Sequence, residues 1–68
     1  MKLSARNQLP GTIDQVHLGD IMARVVVKVG DNVIESVITR QSAEELALKK
    51  GDSVRVVVKS TEVMIEKD

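Results

Sequence analysis

The stretch VIESVITRQSAEELALKKGDSVRVVVK, residues 33–59, decides the fold. It opens on a β-branched run, residues 33–39, and closes on another, residues 53–59, in which Val54, Val56 and Val58 point inward. Between them lies the only helical signal of the chain, residues 42–51. Ser42 with Glu45 three residues later forms a capping box, and acidic residues fill the first turn. Lys49, Lys50 and then Gly51 mark an ordinary helix stop.

Upstream, a strand is expected from Ile21 to Val29, with Ile21, Ala23, Val25, Val27 and Val29 on one face. Gly30-Asp31-Asn32 then makes a hairpin turn by composition. A first strand runs from about Asn7 to His17, with Pro10 near its start, where a missing donor is tolerated on an edge. Its apolar positions change parity between Ile13 and Val16, which predicts a bulge or bend. Downstream, Ser60-Thr61-Glu62 breaks the pattern before a last strand, residues 63–66. Five strands with a short helix between the third and fourth is the order of an all-β, OB-like barrel.

The chain has 68 residues, 43% of them hydrophobic, yet contains no Phe, Trp or Tyr; twelve Val, five Ile and five Leu supply nearly all of the core. Chains of this size bury only about 60% of their unfolded surface and commonly need disulfides, metals or partner subunits. With no Cys, disulfides and thiolate metal sites are excluded, which leaves oligomerisation. The strands point the same way. Met22 and Val26 share a face with Arg24 and Lys28, while Val33 and Val37 oppose Ile34 and Ile38, so both faces of the sheet want cover. Another subunit is the simplest candidate.

Ten Lys+Arg balance ten Asp+Glu. A nucleic-acid binder draws affinity from a basic excess and from aromatic stacking, and this composition offers neither. No stretch approaches the roughly 20 apolar residues that cross a membrane, and the first eight residues lack a signal-peptide core, so a cytoplasmic location is expected.

Catalysis is not indicated, because His17 is the one histidine and no nucleophile is spaced against it. Asp14, His17 and Asp20 form only a weak metal pattern, and no metal site is expected. Thr39 and Ser42, at the helix start, carry hydroxyl donors where backbone N–H groups also favour anions, although Ser42 doubles as an ordinary cap and Glu44 and Glu45 oppose an anion unless turned away. Ser4-Ala5-Arg6-Asn7-Gln8 is polar and adds nothing to a core, and Lys59-Ser60 ends a strand. Together Ser4, Arg6, Thr39, Ser42, Lys59 and Ser60 are mostly donors, two of them cationic, as a small divalent oxyanion requires.

At these residues the chain resembles the molbindins, the small molybdate-binding proteins also called Mop-type or TOBE domains. Ser4-Ala5-Arg6-Asn7-Gln8, followed by Leu9, Gly11 and Thr12, is similar to the SARNQ opening of that family. The strings from Val37 to Ser42 and from Val58 to Met64 match in kind and order, so the resemblance covers essentially the whole chain, residues 1–68, as a single domain. It implies an OB-like subunit in a homohexamer, a trimer of dimers, with molybdate or tungstate at subunit interfaces, no cofactor, and a role in intracellular molybdenum storage without catalysis. By position, Ser4 and Arg6, with Ala5 between them, match residues contributed by one subunit, and Thr39, Ser42, Lys59 and Ser60 match those of its partner. Pro10 stands where relatives often carry Lys, and Glu45 where a related transcription regulator carries a basic residue, which costs the pocket one positive charge. An OB-like nucleic-acid-binding module and a purely structural oligomeric subunit are the competing expectations.

Overall fold

A computed structural model describes residues 4–68. Four strands and two short helical turns follow one another: β1 (Asn7–Leu18), β2 (Met22–Val29), β3 (Asn32–Thr39), the helix α1 (Arg40–Glu45), β4 (Ser53–Val58) and the 3₁₀ turn Ser60–Glu62. All neighbours pair antiparallel in one sheet of order β3-β2-β1-β4.

The twelve residues of β1 serve two partners in turn. Asn7 to Thr12 pair with β4, and Thr12 to Leu18 pair with β2. The exchange falls at the expected parity change, where the register shifts between Ile13 and Gln15 and leaves Asp14 as the extra residue. Pro10 lies beyond the end of the β1–β2 ladder, so the missing donor of this central strand falls on a side that is locally an edge. The β2–β3 hairpin turns on Gly30-Asp31, with Val29 opposite Asn32. Positive φ at Gly30 (61°) and not at Asp31 is the pattern of a type II′ turn, whose twist suits a hairpin.

Ile13, Ala23, Val25, Val26, Val27 and Ala43 are buried. The register places Ile13, Val25 and Val27 on one face with Ile34, Ile38, Val54 and Val56. Between the free edges of β3 and β4 that face opens into a groove lined by Ile13, Val25, Val27, Ile38, Leu48, Val54 and Val56. On the opposite face Met22, Val33 and Val37 are exposed, beside a buried Val26. The chain presents 5824 Å² to solvent, against roughly 4,200 Å² for a compact monomer of this mass. One copy therefore leaves apolar surface uncovered on both faces of its sheet.

Three expectations need correction. The sheet has four strands, not five, because the backbone bond from Glu62 N–H to the Lys59 carbonyl (2.9 Å) closes a 3₁₀ turn that leads the chain off β4. Residues 63–66 then have no ladder partner among the described residues, and Met64 and Ile65 are 92% and 88% exposed. The helix spans Arg40–Glu45 rather than 42–51; its N-cap is Thr39, whose Oγ1 accepts from Ser42 N–H (3.1 Å), so Ser42 sits inside the first turn, which then holds no acidic residue. It ends at Leu46, because Ala47 takes a left-handed φ of 51°, well before Gly51. Finally, Ile21 is exposed outside β2 instead of sharing its buried face.

Gly11 leaves no room for a side chain against β2: a Cβ there would sit 2.7 Å from the Lys28 carbonyl oxygen and 2.8 Å from Val27 Cγ1. Backbone cannot yield as a side chain does, so Gly11→Ala should lower unfolding stability by about 1–3 kcal/mol in urea titration. Wild-type stability in that variant would contradict the packing of β1 on β2.

Candidate functional site

The donors fall into two groups, set apart by β1. Asn7 pairs with Val58, so the residues before β1 and those after β4 meet at one end of the sheet. There Ser4, Ala5, Val57, Lys59, Ser60 and Thr61 line an open depression with no carboxylate among them. Lys59 precedes the 3₁₀ turn in extended backbone (φ −65°, ψ 139°) and carries the positive charge of this depression. Arg6, in the same arm as Ser4 and Ala5, is exposed to solvent and does not line it.

Leu18, at the other end of β1, pairs with Ala23, and Met22 pairs with Thr39. Thr39 and Ser42 therefore lie beside the far end of this twelve-residue strand, about 36 Å from its start as measured along the strand's own path. Their hydroxyls are 2.8 Å apart, with Thr39 Oγ1 donating to Ser42 Oγ. One of the two hydroxyl protons is spent in this bond, and the other is left to donate. At six residues α1 is too short for its start to act as an anion site, and the Ser42 N–H is already taken by the cap.

The carboxylates at this end are tied back along the helix. Arg40 Nε donates to Glu44 Oε1 (3.0 Å), and Gln41 Nε2 donates to Glu45 Oε1 (3.1 Å). Arg40 also reaches across to the Gly19 carbonyl (3.1 Å), pinning α1 to the β1–β2 turn. Even so, the hollow beside Thr39 is lined by Asp20, Glu44 and Glu45 together with Arg40 and Gln41. Within one copy this end does not attract an anion.

The structure accordingly regroups the expected site residues. Lys59 and Ser60 lie beside Ser4 and Ala5, not beside Thr39 and Ser42 with which the resemblance grouped them. His17 Nε2 lies 2.7 Å from Gln15 Oε1, and no group of three His, Cys, Asp or Glu side chains that could hold a metal occurs among the described residues. Sequence reasoning passed over Gln8, whose side chain bonds the Ala5 carbonyl (2.9 Å), and Thr61, which shares the depression. Gln8 stood in the quoted opening string, but its bonding partners could not be read from spacing.

Comparison with known proteins adds the lineage. The chain is 47% identical over 66 residues to molybdenum-pterin-binding protein 1 of Clostridium pasteurianum, covering 96% of this chain and 97% of that one. The structure superimposes on that of a molybdate-binding protein from Sporomusa ovata with a TM-score of 0.95 at 36% identity, over 98% of this chain and all (100%) of the other. It superimposes on MopII from Clostridium pasteurianum with a TM-score of 0.91 at 45% identity, over 97% and 100% of the two chains. The family model of the TOBE domain matches residues 3–65, and over that span the chain belongs to the TOBE domain family.

Proposed function

We propose that this protein binds molybdate and tungstate at sites formed between copies of itself and serves as a cytoplasmic molybdenum store without catalytic activity. The observation that carries this reading is the separation of its donors. Ser4, Ala5, Lys59 and Ser60 stand at one end of β1, and Thr39 and Ser42 at the other, so only a second copy can bring the two sets together. Arg6, exposed beside the first set, is free to reach into a site completed by a neighbour. The uncovered apolar surface on both faces of the sheet supplies the drive for association. The resemblance to the molbindins implies that this association closes as a homohexamer built as a trimer of dimers, with residues 1–68 acting as one domain.

The chemistry of the donor set fits the ligand. Molybdate and tungstate are fully deprotonated dianions at neutral pH and only accept hydrogen bonds. A pocket of hydroxyls and cations satisfies them, whereas hydrogenphosphate would leave its own proton unpaired among donors. Sulfate carries the same charge without a proton, so pocket size must reject it. Relatives bear names that include a pterin, but this chain has no aromatic ring on which a pterin could stack. The bare oxyanion is the better match.

Light scattering should give a particle of about 44 kDa, six times the 7.4 kDa chain. A 7.4 kDa particle that takes up no oxyanion would overturn the reading. In calorimetric titration of that particle, molybdate should bind tightly and sulfate and phosphate weakly. Equal uptake of all three, or a shift of labelled nucleic acid at physiological salt, would favour the competing modules instead. A charge-assisted hydrogen bond is worth roughly 1.5–3 kcal/mol, so Arg6→Ala should weaken molybdate binding about 10- to 150-fold. Unchanged affinity in that variant would remove Arg6 from the site.

A further inference from the structure

The arm that carries Ser4, Ala5 and Arg6 belongs to no helix or strand, so no backbone ladder fixes it. Among the described residues, one side chain holds it instead. Gln8 Nε2 donates to the Ala5 carbonyl (2.9 Å), and Gln8 Oε1 accepts from Arg55 Nη1 (3.3 Å). Gln8 pairs with Val57 and Arg55 with Pro10, so Gln8 and Arg55 lie diagonally on one face of the β1–β4 ladder, within side-chain reach. We propose that Gln8 is a positioning residue of the oxyanion site, setting the Ser4–Arg6 arm through the Ala5 carbonyl while Arg55 fixes Gln8 in turn. The inference rests on the anion-binding function above and names a residue through which that site is organised.

The amide is the side chain this place demands. It presents a donor to the carbonyl and an acceptor to the guanidinium from a single terminus; an ionised Glu could not donate to Ala5, and a Lys could not accept from Arg55. The bond also bears on the ligand. Ala5 lines the depression, and a free carbonyl oxygen turned toward a dianion would repel it. With that oxygen engaged by Gln8, the planar trans peptide turns the Arg6 N–H to the opposite side. An arm held before the ligand arrives loses less freedom on binding, and that saving appears as affinity.

The test uses the intact oligomer carrying Gln8→Met, a near-isosteric change that removes both bonds, Arg55→Met, and the two combined. Each is titrated with molybdate, melted, and examined by ¹⁵N relaxation at the amides of Ala5, Arg6 and Asn7. Gln8→Met should weaken molybdate binding roughly 3- to 10-fold, the worth of a single hydrogen bond, and lower the order parameters of those three amides. Arg55→Met should cause a smaller loss that disappears when Gln8 is already Met. Wild-type affinity in Gln8→Met, or a lower melting temperature with the arm still rigid, would overturn the proposal. So would an Arg55→Met loss that persists in the Gln8→Met background, which is action by charge alone. A wild type that takes up no molybdate would overturn the anion reading itself, and the order parameters would still decide whether Gln8 holds the arm.

Discussion

Ile13 is where the two halves of the molecule are joined. Its side chain, 1% exposed, fills the centre of the core against Val25 and Val27. Its own N–H donates to the Asp52 carbonyl (2.9 Å), and its carbonyl accepts from Gly51 N–H (2.8 Å), just ahead of β4. Just before it, at Thr12, β1 passes from β4 to β2, and immediately after it comes the bulge at Asp14. One residue thus satisfies both of its backbone groups with one partner segment while its neighbours pair with two others. The curl of the sheet, the groove between β3 and β4, and the distance between the two ends of β1 all follow from that exchange.

That geometry bears directly on function. A long first strand shared end to end puts Ser4 and Lys59 at one pole and Thr39 and Ser42 at the other, and nothing inside a single copy can fold them together. The composition works in the same direction. A core of small and β-branched residues, six of them buried among the described residues and none aromatic, leaves Met22, Val33, Val37 and the segment 63–65 in water. Under the proposed function, association that covers this surface would also complete the donor set, which would couple assembly to ligand binding. Glu44 and Glu45, which would repel an anion, are held by Arg40 and Gln41 one helical turn earlier.

Much of the fold was legible in the sequence because it is written in local patterns. The parity change at Ile13–Val16 announced the bulge, and Gly30-Asp31 announced the hairpin. The helix was misplaced because Thr39 and Ser42 are hydroxyl residues three apart, and either fits a capping role; the extended backbone of Thr39 decided it. Val63 and Ile65 alternate as a strand should, yet a strand exists only where a ladder partner does, and alternation cannot show one. At the site, the residue types were readable, but their grouping depends on which strand β1 pairs with at each end. Gln8 escaped notice because Arg55 lies 47 positions away.

The central claim is that each oxyanion site takes its donors from opposite poles of two copies, and mixing two crippled variants tests it most directly. Arg6→Ala and Ser42→Ala oligomers are each titrated with molybdate, then unfolded together in equal amounts, refolded and titrated again. Random assembly should restore tight binding in about a quarter of the sites, those that draw an intact arm from one copy and an intact hydroxyl end from the other. A mixture that binds only as the average of its two parents, although subunits have exchanged, would contradict the account, because the site would then lie within a single copy.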